Sequence, residues 1–303
     1  FKDIHMTKKI SNADLAKVTG MSNRKAAEYL GTTKDAVHLA RTKARDEGSL
    51  PDLPEVRKPK ILAIDLETRP NLVYVWGLFN QNVGINQIVD QTEVICWGAR
   101  WLDEPNVEIR STHRDGKEKM LKRIWTLLDE ADVVMGWNSQ SFDVKHLNRE
   151  FLMAGMAPPS PYTQIDLMRV TKSNFKFPSN KLDWISQSLE IGAKVQHEGF
   201  SLWTKCMAGD DKAWKDMYTY QRQDVDLLID LYYTLRPWIA NHPNMALFAD
   251  EVVACPTCGN VKLQENGVVY RGSSTFQQFR CHKCGTNAKG TKRLSGTSVR
   301  RSS

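Results

Sequence analysis

Two carboxylates, Asp65 and Glu67, interrupt the apolar run ILAIDLETRP at residues 61–70. In a strand, residues i and i+2 share a face, so the two acids project side by side. Adjacent carboxylates repel unless a proton is shared or a cation lies between them. Crowded hard oxygens of this kind suit Mg²⁺ or Mn²⁺. A pair at a strand end pointing into solvent is the plainer reading of this motif alone. Two later stretches bear on the choice. In GWNSQSFDVKHL, Asp143 follows Asn138 and Phe142 directly after the strand-like DVVMGW, at a helix start where it either caps its helix or faces a site at the end of a strand. In YTYQRQDVDLLIDLYYTL, Tyr220 and Asp224 are four apart and share a helix face with Leu227, Leu228, Leu231 and Leu235. An acid and a phenol on the apolar side of a helix need polar company there. Asp226 and Asp230 fit the solvated face of the same helix.

A second constellation is built from sulfur. Cys255, Cys258, Cys281 and Cys284 stand in CPTCG and CHKCG, two C-x-x-C knuckles whose count and spacing fit one structural Zn²⁺. Two disulfides are the competing arrangement, disfavoured by the adjacency of each pair and the lack of a secretory signal. With four thiolates the coordination is filled, so this metal would hold a fold rather than run a reaction. Short strand-like runs around ENG suit a zinc ribbon. Cys96 and Cys206, in apolar surroundings, read as small buried hydrophobes.

The elements that must position these groups follow from periodicity. KILAIDL, EVICWGARWL and NVEIRST read as three successive strands. EKMLKRIWTLLDEA places Leu121, Ile124, Trp125 and Leu128 on one helical face, and DVVMGW is a fourth strand. A helix from about Ser141 to Met153, a strand at TQIDLM, a helix from Leu182 and a long helix reaching Leu235 complete a mixed α/β sheet covered by helices. Upstream, Ala26, Ala27 and Leu30 have helical spacing, Gly31 breaks the helix, and Thr33 caps a second one carrying Val37 and Ala40. This AAEYLG…V pattern resembles helix-turn-helix domains. In such domains the second helix reads a DNA groove, here with Thr32, Lys34, His38 and Arg41; a helical docking module without a nucleic-acid role is the alternative.

The expected order is therefore a vector remnant at 1–5 with the native start at Met6, then a helix-turn-helix-like module at 6–50 and a linker at 51–59. The α/β domain spans 60–241, a second linker 242–250, the zinc ribbon 251–285, and a basic flexible tail 286–303. Hydrophobic residues make up 41% of the 303, which fits a packed globular protein. No apolar run reaches the length needed to span a bilayer and no signal-peptide pattern opens the chain, so an intracellular, cytoplasmic location without membrane contact is expected. The net charge of +7 is unevenly spread. Residues 6–50 hold nine Lys/Arg against five Asp/Glu, residues 60–241 hold 21 against 24, and residues 251–303 hold nine against two. An acidic middle between basic flanks reads as a footprint for phosphate backbones, or simply as soluble surface.

Taken in order, DLET, NSQSFD and YQRQD resemble the three motifs of DEDD-type 3′–5′ exonucleases of the DEDDy branch, which share a ribonuclease H-like fold. N-x-x-x-F-D is similar to the form found in family B polymerase proofreading domains. The resemblance spans about residues 60–240, with no polymerase domain following. It implies that Asp65, Glu67, Asp143 and Asp224 hold two Mg²⁺ or Mn²⁺, with Asp65 bridging. The cations would activate a water and stabilise charge during in-line displacement at the terminal phosphodiester. It further implies that Tyr220 orients that water and that Thr68, Asn138 and Phe142 touch the 3′-terminal nucleotides. His146 is either a group behind Asp143 or a packing residue. DNA is favoured over RNA because groove reading by a helix suits B-form duplexes. An exoribonuclease, a DNA-binding regulator on a nuclease scaffold and a structure-selective endonuclease are the alternatives.

Overall fold

The computed structural model describes residues 10–18, 23–49, 57–193, 198–248 and 253–298. The expected vector remnant, most of the first linker, the last two residues of the second and the last five of the tail lie outside them. The chain divides into two compact units, Phe1–Arg57 and Lys58–Ser303.

The first unit holds three helices, α1 (Asn12–Lys17), α2 (Asn23–Leu30) and α3 (Lys34–Asp46). Helix α1 was not expected from the sequence; Ser11 and Asp14 close it with a reciprocal capping box. The break between α2 and α3 is as read: Gly31 takes φ +64°, and the Thr33 hydroxyl accepts from the Ala36 N–H at 3.2 Å. Val18, Ala26, Ala27 and Val37 form the small core, with Ile10 and Leu30 packed against it.

In the second unit, β1 (Ile61–Thr68) is followed by the short strands β2 (Leu72–Val73) and β3 (Ile88–Asp90), then β4 (Val94–Trp101) and β5 (Glu108–Ser111). Helices α4 (Thr112–Asp115) and α5 (Lys117–Glu130) lead to β6 (Val133–Gly136), α6 (Asp143–Met153) and β7 (Thr163–Asp166). Four helices follow: α7 (Leu167–Asn174), α8 (Leu182–Ser188), α9 (Phe200–Met207) and α10 (Asp211–Leu235). The five-stranded sheet has the order β5-β4-β1-β6-β7, with β1 antiparallel to β4 and parallel to β6. This is the mixed sheet covered by helices that the pattern implied, an RNase H-like fold.

Because β1 is central, both faces of its period-2 alternation are covered. Leu62, Ile64 and Leu66 pack with Trp97 under α5 and α6, where Met120, Ile124, Leu128, Leu147 and Phe151 are buried. The Trp97 indole donates to Met120 O at 3.1 Å, tying α5 to the sheet. The opposite face, Ile61 and Ala63 with Ile95 and Cys96, lies under α10 through Val225, Leu228 and Tyr232. Asp65 and Glu67 continue that second row. Among the described residues no helix is long and apolar enough to cross a membrane.

The last part of the chain forms a three-stranded sheet, β8 (Leu263–Arg271), β9 (Ser274–Cys281) and β10 (Asn287–Gly296), in the order β10-β9-β8. One expectation is corrected here, that of the flexible tail. ENG lies inside β8, where Gly267 takes φ +74° at a register shift, and the hairpin turn falls at Gly272 and Ser273. The expected flexible tail instead supplies β10, paired with β9 from Asn287 onward.

Candidate active site and cysteine cluster

Asp65 lies opposite Gly98 of β4, and Glu67 lies opposite Cys96. A Cβ at Gly98 would stand 2.9 Å from Val225 Cγ2 and 3.0 Å from Gln221 Cγ, so the bare backbone there is what lets α10 approach the carboxylates. On the approaching face the Gln221 side-chain amide donates to both Asp65 O (2.7 Å) and Asp65 Oδ2 (2.8 Å). Gln221 is completely buried, and its Oε1 is an acceptor without a hydrogen-bond partner among the described residues. Nothing local in YQRQD marks Gln221 out, since its partner lies 156 residues away.

Tyr220 and Asp224, on the same helix, are both buried and joined by a hydrogen bond from the phenol to the carboxylate. Burial, then the charges of Asp224, Glu67 and Asp65, push the Tyr220 hydroxyl far above its ordinary range. The Trp203 ring meets Tyr220 edge-on at 6.2 Å.

Asp143 opens α6 and is 3% exposed. Strand β6 ends at Gly136, and past the last β1–β6 pair, Ala63 with Met135, the Leu66 N–H donates to Asp143 Oδ1 at 3.2 Å. Burial first, then the charge of Asp65, raises the Asp143 carboxyl well above the usual carboxylate range. The loop between β6 and α6 is set by Asp166, which the sequence reading did not pick out. Its carboxylate accepts from the Asn138 N–H (3.0 Å), the Gln140 N–H (3.4 Å) and the Arg169 N–H (3.2 Å). Asn138 takes φ +64° in that loop. Gly136 reinforces it, because a Cβ there would lie 2.8 Å from Ser139 Cβ and 2.9 Å from Ile64 O.

The residues assigned to substrate contact lie around this centre. Thr68 ends β1 beyond a register shift and pairs with Val94. Phe142 precedes α6, partly exposed, its ring edge-on to His146 at 4.5 Å. His146 is half-buried, and burial holds its pKa below the usual value. Cys96 and Cys206 are buried, and burial raises both thiols, that of Cys206 to about 11. Asp226, half-exposed, pairs with Arg100 at 2.6 Å, while Asp230 faces solvent.

In the first unit, Lys34 and His38 are exposed on α3. Thr32 stands in the turn before α3 rather than on the helix. Arg41 turns inward and donates to Val18 O at 2.9 Å, so its guanidinium closes the end of α1.

Cys255, Cys258, Cys281 and Cys284 bring their sulfurs within 4.8 Å of one another, and none forms a disulfide. Cys255 and Cys284 are 3.6 Å apart, Cys258 and Cys281 3.7 Å. Burial raises the Cys281 thiol, but the Cys284 N–H, the Asn260 side chain and the Lys283 N–H outweigh it and bring it to about 6. The motif carboxylates are set more widely: among the described residues, no three acidic side chains reach the same mutual spacing.

No curated protein matches it. Among solved structures it is similar to the family B DNA polymerase from the hyperthermophilic archaeon Pyrobaculum calidifontis, at 12% identity and a TM-score of 0.46. That match covers 74% of this chain and 33% of the polymerase, so the chain spans about a third of that protein's length. The profile of the RNase_H superfamily matches residues 64–236, a stretch that opens one residue before Asp65 and closes beyond Asp224. The chain belongs to the RNase_H superfamily.

Proposed function

We propose that the protein is a divalent-metal-dependent 3′–5′ exonuclease, acting on DNA in preference to RNA. Membership of the RNase_H superfamily supports a nuclease. The observation that carries the finer reading is the Gln221 clamp: one side chain of α10 grips both the backbone and the carboxylate of Asp65 and so holds Tyr220 and Asp224 against β1.

The donor set fits hard cations. Asp65, Glu67, Asp143 and Asp224 offer only carboxylate oxygens, and Asp143 is buried under the charge of Asp65. Bound cations would draw these acids closer together than they stand here. Bound there, the cations would lower the pKa of a water and neutralise charge on the phosphodiester. Tyr220, whose hydroxyl burial pushes above its ordinary range, is a poor general base and would orient that water by hydrogen bonding. Thr68, Asn138 and Phe142 would flank the 3′-terminal nucleotides, with Phe142 offering a ring for stacking. In the cysteine cluster, tetrahedral zinc with bonds of about 2.3 Å places sulfurs about 3.8 Å apart, close to the observed 3.6 and 3.7 Å. We assign a structural Zn²⁺ to Cys255, Cys258, Cys281 and Cys284, and DNA contact to the exposed Lys34 and His38 with Thr32 beside them.

The test is digestion of end-labelled single- and double-stranded DNA and RNA with Mg²⁺ or Mn²⁺. Mononucleotides should leave from the 3′ end of DNA, a 3′ block should stop them, and Asp65→Ala or Asp224→Asn should abolish release without unfolding the chain. Undiminished activity in those variants, or internal cuts, would overturn the assignment.

A further inference from the structure

Between β1 and β4 the chain makes an excursion that no motif explains. Residues 71–89 contain no charged side chain but hold six Asn or Gln among Tyr74, Trp76, Leu78, Phe79 and Ile85. Those five are exposed: Trp76 completely, Ile85 at 90%, Leu78 at 88% and Phe79 at 84%. So dense an apolar display on a folded surface marks a binding site. Of the nine tryptophans, Trp97 and Trp214 are buried, and Trp76 is the opposite.

The excursion is an arm with a fixed root. Strands β2 and β3 pair antiparallel, Leu72 with Asp90, and continue the β1–β4 ladder past the end that carries Asp65 and Glu67. Arg69 pairs with Asp90 and Glu93 at 2.5 and 3.2 Å, Thr92 Oγ1 donates to Arg69 O at 2.6 Å, and Arg149 donates to Thr92 O at 2.7 Å. Further out, the Tyr74 N–H donates to Gln87 O, and the Gln87 side-chain amide donates back to Tyr74 O, both at 2.9 Å.

We infer that this arm is a stacking platform for the unpaired bases of a single nucleic-acid strand leading to the carboxylate cleft. The inference rests on the nuclease reading. Three features select bases as the occupant. Aromatic faces interleaved with amide donors and acceptors match the faces and edges of bases. The arm grows from the two strands that carry Asp65 and its opposite residue Gly98, so a strand threading the cleft passes its root. Residues 60–241 carry three more acids than bases, so they give phosphates little to hold, whereas a grip on bases needs no charge.

Binding of fluorescein-labelled dT20 and of a blunt 20-base-pair duplex is measured by anisotropy in buffer without added Mg²⁺ or Mn²⁺, for wild type and Trp76→Ala/Phe79→Ala. Loss of stacking for one or two bases should weaken dT20 binding roughly 10-fold or more. That factor should stay constant from low to high salt, because no phosphate contact is removed. Duplex affinity and thermal stability should not move, and Trp76→Phe should restore most of the dT20 affinity. Unchanged dT20 binding overturns the inference, and so does a loss of self-association in the double variant without a loss of dT20 affinity, which would make a second copy the occupant. A chain that digests 3′ ends with an inert arm loses only this inference. A chain that binds through the arm but digests nothing loses the nuclease reading instead.

Discussion

Gly98→Ala adds one methyl group at the contact between β4 and α10, and its cost can be worked from the geometry. The new carbon would sit 2.9 Å from Val225 Cγ2, 3.0 Å from Gln221 Cγ and 3.4 Å from Gln221 O. Carbon atoms pack at about 3.5–4.0 Å, so at least about 0.5 Å of separation must be found. Val225 and Gln221 are both fully buried, and the Gln221 amide is anchored on Asp65, so neither swings aside freely. Overpacking of this kind costs about 1–3 kcal/mol of stability. The same displacement moves Tyr220 and Asp224 away from Asp65; since a misplacement of about 1 Å can cost about 100-fold, half of it should lower kcat on the order of 10-fold. Urea denaturation and exonuclease turnover on a 3′-labelled oligonucleotide measure the two effects. Val225→Ala in the same chain removes the nearest clash, and a stability cycle over the two sites should show a favourable coupling of about 0.5–3 kcal/mol. Wild-type stability and turnover in Gly98→Ala would refute the claim that close approach of α10 assembles the site.

Three further outcomes are expected. Gln221→Leu should lower kcat far more than KM for a short oligonucleotide, because it releases Asp65 while leaving the outer surface alone; an unchanged kcat would remove Gln221 from the site. Buried Glu150 joins Arg149 and Lys117, and although burial raises its pKa, hydrogen bonds from Arg149 and Lys117 outweigh this and lower it. A depressed carboxyl contributes stability above its unfolded pKa and loses it as pH falls through the folded one, so Glu150→Gln should cost roughly 1–3 kcal/mol at pH 7 and progressively less below about pH 4.3, read from urea midpoints. Chelation of the cysteine-bound metal should abolish amide protection over residues 263–296 while that of β1, β4 and β6 persists; a joint loss would show that the small sheet and the large one fold as one unit.

The carboxylates stood out because acids inside apolar runs are anomalies, and three such anomalies in one order mark a candidate site. The strand and helix periods were legible for the same reason that both faces of β1 are covered: each period had a core to answer to. Gln221, Gly98 and Asp166 carried no such signal. A glutamine in a helix and a glycine in a strand are ordinary until the opposing element is known, and their partners lie far along the chain. Helix α1 was missed because six residues are too few to show a period. β10 was misread because NAKGTKRLSG is polar on both faces, as befits a small sheet whose strands bury almost nothing and whose anchor is four sulfurs. The arm was invisible for the converse reason: its apolar residues looked like core, and sequence alone does not distinguish a buried tryptophan from a displayed one.

The bond from the Leu66 N–H to Asp143 Oδ1 gives this side chain an architectural task. One oxygen of this carboxylate accepts from the backbone, so in the proposed site the other oxygen would be the freer donor to a cation. Asparagine could keep the backbone bond through its carbonyl while turning an NH₂ group toward the cleft. Asp143→Asn should therefore leave the join of β1 to α6 intact and weaken cation affinity at the proposed site, separating this architectural task from the ligating one proposed for the same side chain.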